Sequence, residues 1–451
     1  MLKAISPLDG RYHQRVEMLG DYFSEYALMG ARVWVELQYL LALDQTKIFP
    51  ALGKREIKRI EQLSISFTQE AYEKIKDIEA ILNHDVKACE VYLVNELKLK
   101  HPNMIHFGLT SEDVNNIAYT LLIKKYRDAQ QLPQLQILLR FLAKKITEWK
   151  SISFPSHTHG QMASPTTAGK ELAVFASRLL RQYSALKKLP FRAKCNGATG
   201  NYSAFVSASS DIKWVEFSKK FLYNLDLDIN PVTTQIEDHD TWAEYFSISK
   251  MINNIVLDMN EDVWTYLMLG YMKQKTKDSE VGSSTMPHKV NPINFENSEG
   301  NLGISNALLD HFTTKLTRSR LQRDLSDSTV ERNIGVALGH AYLGLDETLR
   351  GLKKLRVNTE FCENELNNYP ELLAEPIQTI LRREGFTNPY NIMKNITRGH
   401  TLTVADLNKF ISSLKVSDEV RKELSDLRAV NYTGIADKIC NNVVREINKT
   451  F

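Results

Sequence analysis

No stretch of the 451-residue chain holds an uninterrupted apolar run of the ~18 residues that a membrane-spanning helix needs, so no membrane partner is expected. Cysteine is scarce. Cys89, Cys195, Cys362 and Cys440 lie far apart with no Cys-x-x-Cys pair, which excludes the usual cysteine zinc spacings and suggests no disulfide framework. A reducing cytoplasm is the simplest setting for such a chain. Neither sign of charge dominates: 57 Lys and Arg against 54 Asp and Glu leave a formal +3, and no polybasic run stands out, so nucleic acid is not expected either. The first residues, Met1 to Pro7, lack the apolar core of a signal peptide. Also missing are a Gly-x-Ser-x-Gly elbow and the spacing of a phosphate-cradling Walker loop, which removes the hydrolase and kinase readings.

What is present is helical periodicity. Proline is absent between Pro231 and Pro287 and between Pro292 and Pro370, and apolar residues fill both gaps at three- and four-residue steps. Ile248, Met251, Ile252, Ile255, Val256, Met259, Val263, Tyr266 and Leu267 make a stripe spanning many more turns than the ~11–12 residues of an average helix. Other long helices are expected from Thr110 or Ser111 towards Gln131, resuming after Pro133 to about Trp149. Further ones should run from near Pro165 to Leu189, from Asn294 to Thr314, and from Thr329 to Leu355. Strand signals are few. The spacing predicts an all-α chain in three helical domains: residues 1–100 with shorter helices, a central long-helix bundle over 101–354, and a smaller part over 355–451.

The polar residues gather at expected helix ends and loops. These clusters are Asp9-Gly10-Arg11-Tyr12, Asn83-His84-Asp85, Thr110-Ser111-Glu112-Asp113, Ser156 to Gln161, Thr233 to Glu237, and Gln322 to Asn333. Singly, each reads as a turn or a cap. His157 and His159 could hold a metal by spacing, but no third ligand lies near, and acid–base work is the better reading of a side chain that titrates near neutrality. The segment Gly282 to Pro292 is the most informative. It packs a glycine, two serines, a threonine, a lysine and an asparagine into one short polar stretch that Pro287 and Pro292 keep from being helix or strand, so it reads as a mobile loop able to close on an anion. A serine there could serve as nucleophile, anion ligand or base.

The string Gly282-Ser283-Ser284-Thr285-Met286-Pro287-His288-Lys289-Val290-Asn291-Pro292 resembles the shared motif of the fumarase/aspartase superfamily of fumarate-releasing lyases. Ser6 to Tyr12, Asn83 to Ala88, Thr158 to Gln161, Gln322-Arg323-Asp324 and Asp327-Ser328-Thr329 extend the likeness along the chain and make it similar to the bacterial adenylosuccinate lyase family. That resemblance implies the central long-helix bundle of the superfamily and a homotetramer whose active sites are shared between subunits. It implies β-elimination of fumarate from two small molecules, adenylosuccinate and SAICAR, with no metal and no cofactor. By the same resemblance Ser283 is the base and His159 the acid. Lys289 and Asn291 hold the carboxylates, while Thr110, Ser111 and Gln235 bind the succinyl portion. His84 aligns the substrate, and Arg11, Tyr12, Arg323, Ser328 and Arg332 anchor phosphate and nucleotide. Asn83, Asp85, Ser284, Asn297 and Thr329 complete the substrate-binding set. The chain departs from the family in one place: His157 stands where an arginine is usual, which removes a permanent charge and a forked donor beside His159. The rival readings are another lyase of the same fold, such as an argininosuccinate lyase or an aspartase, and a non-catalytic scaffold.

Overall fold

A computed structural model describes residues 3–275, 286, 289–397 and 402–451. The two serines Ser283 and Ser284, with most of their loop, lie outside the described residues. The fold is all-α: long helices dominate, and the strands form only three two-stranded pairings among the described residues. The chain divides into two compact units. One comprises residues 1–134, 182–254 and 300–344, the other 135–181, 255–299 and 345–451. The division falls inside the helices Leu132–Trp149, Ala168–Lys188, Asp240–Met268, Ile293–Lys315 and Ile334–Lys354, each of which gives part of its length to either unit.

In the first unit the helix Glu25–Asp44 packs on Ser111–Tyr126, and local capping sets where the helices begin. Ser24 Oγ accepts from the Ala27 N–H at 3.1 Å, and Thr68 Oγ1 accepts from Ala71 at 3.2 Å, each satisfying an amide that the helix start leaves unpaired. The helix Gln69–Leu82 ends on Asn83 in the left-handed region (φ 51°), a conformation asparagine tolerates well. His84 then caps Asp85–Leu97 through Nδ1, which accepts from the Lys87 N–H at 3.2 Å. The segment Asn83-His84-Asp85 is therefore one turn between two helices.

Aromatic packing and polar cross-links fix the helix registers. Trp242, fully buried, donates from Nε1 to Thr120 Oγ1 at 3.0 Å, and Tyr245 donates to Gln131 Oε1 at 2.7 Å. Ser111–Tyr126 ends in a π turn, Arg127–Gln131, just ahead of Pro133. A π turn re-aims the backbone carbonyls where the proline nitrogen has no hydrogen to give.

In the second unit Asn260 donates to Ser298 Oγ at 2.9 Å and to Thr348 Oγ1 at 3.0 Å, a buried polar layer that joins three helices. The C-terminal helices enclose their own apolar cluster, centred on Leu366, Ile377, Leu381, Ile411 and Leu424. From sequence, Ser156 to Gln161 reads as a helix end or loop, and a helix is expected from near Pro165. The segment 153–167 is instead an antiparallel hairpin, Ser153–Thr158 with Gln161–Thr167, and the helix starts only at Ala168. The pairing shifts between Phe154 and Ser156, where Pro155 and Pro165 have no amide hydrogens to place in the ladder. All four cysteines are free and buried, Cys89 and Cys195 in the first unit, Cys362 and Cys440 in the second. Burial pushes every one of the four thiols above its ordinary pKa.

Candidate active site

Most of the residues expected to hold substrate fall in the first unit, and several of them meet. Asp85 is half-buried and paired with Arg32 Nη2 at 2.8 Å and Arg332 Nη2 at 3.7 Å. Arg332 Nη1 in turn donates to Ser328 Oγ at 2.8 Å. Burial opposes ionisation of Asp85, but Arg32, the Val86 amide and Arg332 together outweigh it and hold the carboxyl below its ordinary pKa. A cavity of about 340 Å³ opens here, with Arg32, Asp85, Tyr119, Arg332 and Ser24 on its wall. The wall is mixed in charge: the two guanidinium groups share Asp85, and the carboxylates of Glu25 and Glu331 line the same cavity. Exposed His84 and Asn83 and exposed Thr329 belong to the same turn and helix as members of this group. Arg11 and Tyr12 form a local cation–π pair at 5.9 Å.

A second cluster is built around a knot that the sequence reading missed. Asp113 and Lys194 are both wholly buried and paired at 3.1 Å. Asp113 Oδ1 accepts from the Asn196 N–H at 3.0 Å, while Oδ2 accepts from Gly197 at 3.1 Å and from Thr110 at 2.9 Å. Lys194 Nζ donates to the Gly197 carbonyl at 2.8 Å. The ion pair thus ties the start of the helix Ser111–Tyr126 to the loop 194–201. That loop carries the knot onward: Asn196 donates to Thr233 Oγ1 at 2.9 Å, and Gln235 Nε2 donates to the Ala198 carbonyl at 3.1 Å. Gly200 (φ +75°) lies so close that an added Cβ would stand 2.1 Å from the Thr233 carbonyl oxygen. Only glycine allows that approach. Thr110, Ser111 and Gln235 are therefore held by one network.

Behind these residues lies a third, buried group: Glu112, His239, Asp327 and Glu331, none more than 4% exposed. Arg323 Nη2 approaches Glu112 Oε2 at 3.4 Å, and its Nε approaches Asp327 Oδ2 at 3.5 Å. His239 Nε2 stands 3.7 Å from Glu331 Oε1, and its Nδ1 faces the Leu316 carbonyl at 3.3 Å. Burial pushes the Glu112 carboxyl up to about 7 and Glu331 well above its ordinary value, and it pushes His239 down to about 4. Donor atoms of Glu112, His239 and Glu331 lie within 4.8 Å of one another, a spacing that could also suit a cation, but the Arg323 guanidinium already supplies positive charge there.

Of the expected catalytic residues His159 is described, and it belongs with Lys289 and Asn291 to the second unit. Thr158 pairs with Gln161, so His159 and Gly160 form a two-residue hairpin loop with positive φ at both positions, 54° and 74°. That is the geometry of a type I′ turn, where Asn-Gly is the common choice. A histidine held in the left-handed region costs about 1–3 kcal/mol, and such outliers gather at functional sites. His159 stands exposed at the tip. His157, one step down the strand, stacks on Tyr271 with ring centres 5.8 Å apart, and Phe154 anchors the base against Tyr266 and Tyr271. Lys289 is exposed, Asn291 half-buried ahead of the helix Ile293–Lys315, and Asn297 half-buried in its second turn.

Comparison with known sequences decides the family. The profile described as "Lyase" matches residues 10–304, and the one described as "Adenylosuccinate lyase C-terminal" matches residues 319–433. Adenylosuccinate lyase of Buchnera aphidicola from Acyrthosiphon pisum is 44% identical over 450 residues, 98% of this chain and 99% of that one. The Escherichia coli K12 enzyme of the same name is 45% identical over 443 residues, 96% of this chain and 97% of its own. The chain belongs to the adenylosuccinate lyase family. Two solved structures share its fold at 18% identity: a fumarate lyase from Mesorhizobium (TM-score 0.78, covering 95% of this chain and 97% of that one) and a 3-carboxy-cis,cis-muconate lactonizing enzyme from Pseudomonas putida (0.75, 96% and 97%). The match specific to adenylosuccinate lyases contains Arg323, Ser328, Thr329 and Arg332. The broader match contains His159, Ser283, Lys289 and Asn291.

Arg32, Lys194 and His239 carry no signal in the sequence, Glu331 stands there only as a member of the cluster Gln322 to Asn333, and Glu112 and Asp113 read as favourable charges at a helix start. Their partners lie far away along the chain, and the one sequence signal was two adjacent acids in a first helical turn.

Proposed function

We propose that this protein cleaves adenylosuccinate to AMP and fumarate, and SAICAR to AICAR and fumarate, by β-elimination across a C–N bond. The observation that carries the reading is kinship at 44–45% identity over nearly the whole chain with adenylosuccinate lyases. In this reading Ser283 removes a weakly acidic C–H proton beside a carboxylate, and His159 protonates the departing nitrogen. A serine hydroxyl is a poor base, so its alkoxide needs donors and a cation close by, and Lys289 is a suitable one. Lys289 and Asn291 hold the carboxylates as negative charge grows in the transition state. Thr110, Ser111 and Gln235 bind the succinyl portion on the network around Asp113. Arg323, Ser328 and Arg332, with Arg11, Tyr12, Asn83, His84, Asp85 and Thr329, hold phosphate and nucleotide, and Ser284 and Asn297 join the carboxylate end. Arg332, exposed on the cavity wall and hydrogen-bonded to Ser328 Oγ at 2.8 Å, supports the assignment of these two residues to the phosphate.

The proposed assembly is a homotetramer with shared active sites. Exposed apolar side chains on long helices support it: Trp264, Met268, Ile293 and Ile304 are each 40% exposed or more. The three-domain division near residues 100 and 354 is proposed with it. No helix among the described residues is long and apolar enough to cross a membrane, and four unpaired cysteines suit a cytoplasmic setting.

Purified protein mixed with adenylosuccinate should release fumarate, followed by ultraviolet absorbance, and should leave argininosuccinate and aspartate intact. Cleavage of argininosuccinate with adenylosuccinate untouched would move the chain to another branch of the superfamily. No release from any of the three would favour the scaffold reading.

A further inference from the structure

We propose that Glu112 is a positioning residue for Arg323, its buried carboxylate acting with that of Asp327 to fix the guanidinium, while Glu331 and His239 form a neutral pair beside it. The proposal rests on the reading of Arg323 as a phosphate anchor.

Three carboxylates, Glu112, Asp327 and Glu331, are buried around one arginine, Arg323. An ionised carboxylate without a partner is too costly to keep in such a place. One of the three must therefore be neutralised, and geometry selects which. Arg323 reaches Glu112 through Nη2 and Asp327 through Nε, and it makes no ion pair with Glu331. The contact given to Glu331 is His239 Nε2 at 3.7 Å. His239 is fully buried with Nδ1 against the Leu316 carbonyl, so Nδ1 carries the hydrogen and Nε2 is left as an acceptor with no hydrogen-bond partner. At 3.7 Å the two atoms share no hydrogen bond, but a bare imidazole lone pair facing an ionised carboxylate in a buried site is repulsive, so one of the two groups takes up a proton. Glu331 and His239 then sum to zero charge whichever of them holds that proton. Burial pushes Glu112 up to about 7 even beside Arg323, but it pushes Glu331 higher still and His239 down, so Glu331 is the carboxyl that holds its proton most firmly.

Glu112 and Asp327 are left as the pair that grips Arg323. Neither oxygen of Glu112 has a hydrogen-bond partner of good geometry, so its link to Arg323 is ionic. Two carboxylates at two different nitrogens, Nη2 and Nε, fix both the place and the tilt of the guanidinium plane. That tilt decides whether the remaining N–H groups of Nη1 and Nη2 can meet a phosphate, because forked recognition depends on the plane. Glu112 is the first-turn neighbour of Ser111, so the same turn of helix serves both ends of the proposed substrate.

The test compares two glutamates equally hidden from solvent. Glu112→Gln keeps the shape and removes the charge. It should raise KM for adenylosuccinate about tenfold, the effect of a single misplaced anchor, and weaken AMP binding by calorimetry to match, with kcat within about twofold. Glu331→Gln should leave KM and AMP affinity within about twofold, because that group is already neutral. Thermal midpoints of Glu112→Gln, Arg323→Gln and the double variant should be non-additive, and the corresponding set with Glu331→Gln additive. An unchanged or lowered KM in Glu112→Gln, an equal rise in Glu331→Gln, or additive midpoints for the 112–323 pair would overturn the proposal. If the wild-type protein leaves adenylosuccinate untouched, the functional reading fails, and the thermal cycles alone decide whether Glu112 holds Arg323.

Discussion

Asparagine at position 159 should lower the rate of fumarate release by about 10²–10⁴-fold, the span typical of losing a positioned acid, without lowering the thermal midpoint. The choice of asparagine matters. His159 sits in the left-handed region at the first place of a two-residue turn (φ 54°), and asparagine is the residue that turn accepts most readily. The variant therefore keeps the hairpin and removes only the group that can donate a proton to the leaving nitrogen. Alanine would confuse the result by adding backbone strain to chemistry. Ser283→Ala should produce a comparable loss of kcat if the serine is the base. A His159→Asn protein within a few-fold of wild type would remove the histidine from the mechanism.

The second large effect is on stability. Replacing Asp113 by alanine leaves the Lys194 ammonium wholly buried with the Gly197 carbonyl at 2.8 Å and no carboxylate, and it strands the amides of Thr110, Asn196 and Gly197. Breaking a buried pair in this way costs about 3–5 kcal/mol, much of it from the charge left without a partner. The double change Asp113→Ala with Lys194→Met should recover a substantial part of that loss, because it removes both charges together. Denaturant midpoints of the three proteins are the measurement. If Asp113→Ala alone shifts stability by less than about 1 kcal/mol, the pair is not the knot described. The same variant should also loosen the loop 194–201 that carries Gln235 through the Ala198 carbonyl.

The long helices were legible because their signal is local. Apolar spacing and proline gaps placed the stripe from Ile248 to Leu267 inside the helix Asp240–Met268, and the run from Asn294 to Thr314 inside Ile293–Lys315. Thr110 begins the helix Ser111–Tyr126 as its polar side chain suggested. The hairpin at 153–167 was not legible. Its strands lack β-branched residues until the final threonines, and two prolines interrupt it. Pairing across a tight His-Gly turn is invisible to a rule that expects Asn-Gly. The first-unit residues were legible as clusters and not as a network. Asp85 meets Arg332, and Glu112 meets Arg323, across more than two hundred residues of chain, and no spacing rule reaches so far.

The four buried cysteines bear on experiment rather than on catalysis. A thiol pushed up by burial offers little thiolate, so an alkylating reagent should leave the native protein unmarked. Each unit holds two such silent thiols: Cys89 and Cys195 in one, Cys362 and Cys440 in the other. Labelling followed by peptide mapping during slow denaturation should therefore show which unit opens first. The molecule carries its own pair of unfolding clocks, with no probe to be installed.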